Sequence, residues 1–261
     1  MTSLKLSAGS LFSVKGKTAL VSGAMGHLGK VIVSVLRDNG ARVIRLYNKS
    51  APETPSRDDF KLDMYNSDGY PALKEFAAKV PVDILVNNAH EMSQETGFNV
   101  LDDPLANYDP MAAWKNYVGG YAFPAVLVSY FGTGMRDRRH GSIINICTMD
   151  AKVAPSPILY EGTRYSNPPH YGASKAALMQ FTRYVASYWR QYGVRCNSIS
   201  PGPFPKSTAD TGFMQRLADR TSLARVGEAR ELAGALLYLA SDASSYTTGT
   251  DIAVDGGWTS V

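Results

Sequence analysis

A doubly wound α/β fold, with one parallel sheet covered by helices on both faces, is what this sequence predicts, and three observations carry that reading. Short apolar runs alternate with longer stretches of helical periodicity, the pattern of strand-helix-strand units. The runs are nearly continuous in apolar character, as in strands buried on both faces. A glycine-rich turn follows the first run directly. The chain has 261 residues, 44% hydrophobic and 19% charged. That is enough apolar material for a large core and too little charge for a disordered class. A single domain over 16–261 is expected, preceded by an N-terminal extension over 1–15.

The first run, Thr-Ala-Leu-Val-Ser at Thr18–Ser22, predicts a buried strand, and helical periodicity over 27–39 follows its glycine turn. A second strand is expected over 41–46 (Ala-Arg-Val-Ile-Arg-Leu), then a long loop at 48–57 and a helix near 69–79. Val-Asp-Ile-Leu-Val marks a strand over 82–86, ahead of a helix across 110–136. Gly-Ser-Ile-Ile-Asn-Ile gives the strand Gly141–Ile146, and 171–192 the next helix. The remaining strands fall at 194–199 and Asp251–Val254, with helices between them at 211–219 and 228–241. Loops 151–170 and 201–227 are longer than a connection requires. Both follow strands where the carboxyl ends of a parallel sheet open and ligands bind. They are expected to wall the substrate, 151–170 as an insertion and 201–227 as a substrate loop.

A net charge of +4 is mild. The densest basic run, Arg136 to His140, reads as a solvated helix end where cations suit the dipole, so a nucleic-acid partner is not expected. Cys147 and Cys196 lie in apolar runs and read as small core side chains rather than a disulfide or metal pair. The four histidines show no ligand spacing, and no metal is expected. Residues 1–16 hold no apolar stretch of signal-peptide length, and no run approaches the ~20 apolar residues of a membrane span. A soluble protein in a reducing, cytoplasmic setting follows, with no membrane partner.

After the first strand comes Ser22-Gly23-Ala24-Met25-Gly26-His27-Leu28-Gly29, leading into a helix. Glycines at 23, 26 and 29 let the backbone approach a diphosphate, and the amides opening the helix stabilise its charge. The tip of the second strand normally discriminates between the nicotinamide dinucleotides, because an acid there bonds the ribose 2′-hydroxyl and repels a 2′-phosphate. Here it reads Leu46-Tyr47-Asn48-Lys49, with no acid and a nearby lysine, which favours NADP(H) over NAD(H). Leu62-Asp63-Met64 places a carboxylate where an adenine amino group would lie, and Asn87-Asn88-Ala89 ends the following strand. Turn formation alone also accounts for these Asp and Asn residues.

Tyr171 and Lys175 stand four residues apart, on one face of the expected helix. A cation one turn from a phenol favours the phenolate and lowers its pKa.

Taken in order, these motifs resemble the short-chain dehydrogenase/reductase family from Gly16 to Trp258. The matching pieces are the glycine turn, Asp63, Asn87-Asn88-Ala89, Asn116 before Val118-Gly119, the strand ending at Ile146, Tyr171 to Lys175, Pro201-Gly202, and Asp255-Gly256-Gly257-Trp258. The resemblance implies a Rossmann-type sheet and hydride transfer between a nicotinamide and a carbonyl or secondary alcohol. It places the catalytic tyrosine and lysine at Tyr171 and Lys175, a helix asparagine supporting a proton relay at Asn116, and Thr148 at the family's serine position. It also implies cofactor contacts at Met25, His27, Leu28, Asn48, Lys49, Met64, Asn88, Ala89, Pro201, Gly202 and Phe204. Threonine keeps the hydroxyl but narrows the pocket with its methyl.

There are three further departures from the family pattern. The glycine spacing is commoner in an extended branch, His90 replaces a glycine, and 23 positions separate Thr148 from Tyr171, more than is usual. The insertion so created includes Leu159-Tyr160-Glu161-Gly162-Thr163-Arg164-Tyr165-Ser166-Asn167-Pro168-Pro169, rich in groups that bond hydroxyls. It looks like that of a subgroup acting on sugars in bacterial surface-glycan and nonulosonate pathways. His90, Tyr160, Glu161 and Arg164 are the substrate candidates, since a polyol needs matched hydrogen-bond partners. A structural loop capping the next helix explains the same residues. The alternatives to a sugar or polyol oxidoreductase are a 3-oxoacyl thioester or gluconate-type reductase, and a catalytically silent NADP-binding sensor. Phe181, Tyr184, Tyr188 and Tyr192 recur as an aromatic stripe on the helix after Tyr171. In this family that helix commonly packs on its copy, so a homodimer or homotetramer is expected.

Overall fold

Strands of the parallel sheet are ordered so that the chain winds outward in both directions from its first strand. The structure, a computed structural model, describes residues 7–100, 103–206 and 208–260. Residues 1–6 of the expected extension, Ser207 of the substrate loop and Val261 lie outside the described residues. In chain order come α1 (Ala8–Leu11), β1 (Thr18–Ser22), α2 (His27–Asp38), β2 (Arg42–Tyr47), β3 (Asp59–Lys61), α3 (Tyr70–Lys79) and β4 (Ile84–Asn87). A helical rod follows, made of α4 (Pro110–Tyr117), α5 (Phe123–Leu127) and α6 (Thr133–Arg138), joined by π-helical turns at Val118–Ala122 and Val128–Gly132. Then come β5 (Gly141–Ile146), α7 (Pro169–Tyr188), β6 (Val194–Pro201), α8 (Thr211–Asp219), α9 (Ala233–Ala240) and β7 (Asp251–Val254). The sheet order is β3-β2-β1-β4-β5-β6-β7, with every pairing parallel.

Alternate residues along each strand feed two cores. Leu20, Ile44, Leu85, Ile143 and Cys196 face Leu73, Leu127 and Val185 from α3, the rod and α7. Their neighbours Val21, Val43, Val86, Ile144 and Ile199 face Ile32, Leu36, Leu236 and Leu239 from α2 and α9. This is why the strands read as continuous apolar runs: both faces are covered. Each such side chain contributes about 1.5–3 kcal/mol on burial. Cys147 and Cys196 are both buried and free, as small core side chains.

Three features differ from the expectations. The edge strand β3, Asp-Phe-Lys, has no apolar run to announce it. It is held instead by the fork of Arg45 on Asp59, at 2.5 and 2.8 Å, and by pairing with β2. The stretch expected as one helix over 110–136 is widened by its two π-helical turns. The expected aromatic stripe divides. Helix α7 ends at Tyr188, Tyr192 lies beyond it, and Phe181 and Tyr192 pack on the core while Tyr184 and Tyr188 stack on each other in the open, 5.5 Å apart.

Candidate active site

β1 and β4 are neighbours whose connecting helices leave on opposite faces, so a crevice opens beyond their carboxyl ends. A cavity of about 680 Å³ fills it, running from the turn after β1 and the tip of β2, past the loops after β4 and β5, to α7 and α8.

At the first end, Gly23 has φ +63°, and a Cβ there would lie 2.7 Å from the Ala89 Cα. A Cβ on Gly29 would sit 2.1 Å from the Gly23 carbonyl oxygen, so only glycine lets the turn fold back onto α2. Ser22, not singled out from the sequence, pins this turn: its Oγ accepts from the N–H groups of Asn88 (3.0 Å) and Ala89 (3.1 Å). The Asn88 side chain donates to the carbonyls of Ser22 and Gly23 at 3.2 and 3.1 Å. Helix α2 has Gly26 as its N-cap, with no side chain capping it. Its first amides are therefore left for a ligand, and they carry the positive end of the helix dipole. The cradle, the uncapped helix and the length of the cavity fit a nicotinamide dinucleotide. Met25, His27, Leu28, Asn48, Lys49, Met64, Ala89, Pro201, Gly202 and Phe204 line the cavity. Lys49 pairs with Glu91 at 2.8 Å.

At the other end, β5 delivers Thr148, whose hydroxyl accepts from the Asp150 amide at 3.3 Å and caps the turn that follows. Helix α7 presents Tyr171 and, one turn on, Lys175. Lys175 is 3% exposed, and its Nζ donates to the Ile146 carbonyl at 2.9 Å. Burial lowers its pKa to about 8. Burial pushes the Tyr171 phenol up, with the Thr148 hydroxyl working against it. This corrects the expectation from spacing: withdrawing the phenol from water outweighs any help from a lysine one turn away, and the phenol is held in its protonated form. The rings of His90 and Phe98 flank it, with centroids at 5.0 and 5.1 Å.

Asn116 is buried outside the cavity lining. Its Nδ2 donates to the carbonyls of Thr96 (2.7 Å) and Ala112 (2.9 Å), which turns its Oδ1 toward His90 Nε2 at 3.1 Å. The Asn116 carboxamide therefore fixes His90 as the Nε2–H tautomer. His90 is kept neutral, with its pKa lowered to about 3 by burial and then by Lys175.

The insertion and α8 meet over the substrate end. Phe213 stacks on Tyr165 (4.5 Å) and packs by Tyr160 (5.7 Å), and Arg216 Nη1 donates to the Glu161 carbonyl at 2.5 Å. Of the candidate substrate residues in the insertion, Tyr160 lines the cavity. Glu161 and Arg164 do not: both are exposed, and the Arg164 guanidinium lies over the Tyr165 ring at 5.4 Å. Asp63 also stays outside the lining, its carboxylate accepting from the Tyr65 amide at 3.0 Å in a local turn. The insertion does not cap α7, whose N-cap Pro168 makes no side-chain bond. Asp150 and Asn167, not among the candidate substrate residues, also line the cavity, joined by Asn167 Nδ2 donating to Asp150 Oδ2 at 2.8 Å. The position of Asp150, two residues after Thr148, was the available signal. Among the described residues no group of three or more His, Cys, Asp or Glu is placed to hold a metal, and no helix is long and apolar enough to cross a membrane.

Known proteins share this layout. The family model described as enoyl-(acyl carrier protein) reductase matches residues 23–259. An NADP-dependent mannitol dehydrogenase from Hypocrea jecorina is 31% identical, over 95% of this chain and 94% of the relative. A 2-dehydro-3-deoxy-D-gluconate 5-dehydrogenase from Bacillus subtilis is 32% identical, over 95% of this chain and 97% of its own. Among solved structures, a gluconate 5-dehydrogenase from Burkholderia cenocepacia, in complex with NADP and tartrate, superposes with a TM-score of 0.82 at 27% identity, covering 98% of this chain and 100% of that one. With a matching family model, relatives above 30% identity along nearly the whole chain, and the sheet and cavity described above, the chain belongs to the short-chain dehydrogenase/reductase family of NAD(P)-dependent oxidoreductases.

Proposed function

We propose that this enzyme transfers a hydride between NADP(H) and a carbonyl or secondary alcohol of a sugar or polyol, with Tyr171 as proton donor and acceptor. The observation that carries the reading is the Tyr171 phenol, held protonated by burial, beside the Thr148 hydroxyl in a cavity whose far end is an uncapped helix terminus. When bound, the cofactor supplies or takes the hydride. Thr148 holds the substrate carbonyl oxygen, and Tyr171 passes its proton to that oxygen as charge develops there. Lys175, anchored on the Ile146 carbonyl, keeps a positive charge beneath the site that favours the phenolate left behind. Asn116 acts through His90, and both hold the wall against which the phenol packs.

Several observations favour the finer parts of this reading. The tip of β2 carries no acid, and Lys49, paired with Glu91, has its own side chain largely exposed, so a 2′-phosphate can recruit it. Relatives acting on mannitol and on a sugar acid favour the sugar class. Exposed Met111, Trp114 and Tyr117 on α4, with Tyr184 and Tyr188 on α7, supply an apolar face for a homodimer or homotetramer. Two free cysteines accord with a reducing, cytoplasmic setting.

The test is NADPH oxidation against a panel of ketoses and keto-acids, alongside NADPH binding by fluorescence. Tyr171→Phe is expected to lower turnover by at least about 100-fold while cofactor binding persists. Retained turnover would overturn the assignment, and binding without oxidation of any substrate would point to a silent sensor.

A further inference from the structure

Two buried acceptor oxygens at the substrate end have no hydrogen-bond partner: Asp150 Oδ1 and Asn167 Oδ1. They belong to side chains already joined to each other, with Asn167 Nδ2 on Asp150 Oδ2 at 2.8 Å, and both residues line the cavity. The backbone that carries each of them is held in place. A Cβ on Gly172 would stand 2.4 Å from the Asp150 carbonyl oxygen, so α7 rests directly on the Asp150 main chain. Asn167 lies four residues before Tyr171 and is followed by two prolines. A buried acceptor left unpaired costs about 1–3 kcal/mol, which a ligand that brings donors recovers.

Charge narrows the class of donor. The cations lining the cavity are Lys49 and Lys206 at the nucleotide end, where Lys206 lies by His27 and with burial keeps that imidazole neutral, and Lys175, whose ammonium is already bonded to Ile146. No arginine or lysine lines the part of the cavity formed by Met149, Asp150, Tyr160, Asn167, Phe213 and Leu217. A substrate carboxylate there would bring no donors, meet no cation and face a carboxyl group. Hydroxyl groups on neighbouring carbons bring the donors that two adjacent acceptors need.

We infer that Asp150 and Asn167 are specificity-determining residues that accept hydrogen bonds from hydroxyls beside the reacting carbon, and that they select a neutral polyol or ketose over a sugar acid. This rests on the proposed sugar oxidoreductase reading and narrows it. It sets the enzyme apart from its relatives that act on sugar acids.

The experiment compares kcat/KM for reduction of D-fructose and L-sorbose with that for 5-dehydro-D-gluconate, in the wild type and in Asp150→Asn and Asn167→Ala. The wild type is expected to prefer the neutral ketoses by at least about ten-fold. Asp150→Asn removes the carboxyl and offers an amide donor, so the anionic-to-neutral ratio is expected to rise about ten-fold or more. Asn167→Ala is expected to raise KM for the ketoses several-fold with a smaller change in kcat, a split that a merely structural role would not produce. NADPH binding and melting on the same preparations show whether each variant is folded. If a variant fails to fold, the wild-type preference still decides. A wild type that prefers the anion, or an Asp150→Asn enzyme with an unchanged ratio, overturns the inference and leaves the oxidoreductase reading standing. Reduction of none of these, with NADPH bound, takes down both.

Discussion

His90 Nε2 donates to Asn116 Oδ1 across 3.1 Å, tying the loop after β4 to the last turn of α4. Burial, reinforced by Lys175, holds the His90 pKa at about 3 against an ordinary 6.5. The unfolded chain takes up this proton below about pH 6.5, while the folded chain refuses it until near 3. The stability contributed here is therefore complete above the unfolded value and is lost as the pH falls from there toward 3. His90→Phe cannot titrate, and denaturant unfolding between about pH 6 and 4 should show a shallower acid loss for it than for the wild type. At neutral pH the same variant should be less stable by about 1–3 kcal/mol, because Asn116 Oδ1 loses its buried donor. Parallel acid slopes in the two proteins would show that another group controls this range.

Lys175 provides a second pH signature, in rate rather than stability. Its pKa is lowered by burial to about 8, so the ammonium is present below that value and lost above it. In the reduction direction kcat/KM should decline on a limb near pH 8. Lys175→Met should be slow and flat across the same limb. A wild-type profile that stays level to pH 10 would remove Lys175 from the proton-transfer step.

Cofactor choice is open to a charge exchange at the tip of β2. Lys49 is 71% exposed and its pair with Glu91 is worth ~0–1 kcal/mol. Lys49→Glu should move the NADPH-to-NADH ratio of kcat/KM toward NADH by about ten-fold or more. Glu91→Gln, which releases the lysine, should lower KM for NADPH a few-fold. No movement in either variant would mean that the 2′-phosphate is read elsewhere.

Arg216 bridges the roof of the site, donating to the carbonyls of Glu161 at 2.5 Å and Leu159 at 3.4 Å without lining the cavity itself. Arg216→Ala should raise KM for the ketose by roughly three- to ten-fold and leave KM for NADPH unchanged. Steady-state kinetics with each substrate varied in turn separates the two. Equal rises in both constants would indicate a general loosening of the fold.

How much was legible beforehand follows from which interactions decide each feature. β1, β5 and β7 run over the expected residues because burial on two faces writes itself directly into apolar runs. β3 escaped because its place is set by Arg45 reaching Asp59 and by a neighbouring strand, neither of which leaves a periodic trace. The glycine turn, Tyr171, Lys175 and Thr148 were visible as spaced motifs. Asp150 and Asn167 were not, since their meeting depends on how an insertion folds back across the turn after β5. Glu161 and Arg164 show the reverse error. They are polar residues in the right segment, but their direction is set by α8, where the Glu161 carbonyl and the Tyr165 ring are the parts engaged.

The bare hydrogen at Gly172 also limits how such an enzyme can be retooled. The helix bearing Tyr171 abuts the main chain of Asp150, so a residue added or removed between 148 and 151 would displace the phenol along with the wall. New substrate ranges are reachable there only by exchanging side chains. The arch from 152 to 168 is touched at its summit only by side chains such as Arg216, a Cβ on Gly162 would meet nothing within 4 Å, and surface loops absorb changes of length at small entropic cost. Variation in this lineage should therefore accumulate as length in the arch and as chemistry at its foot.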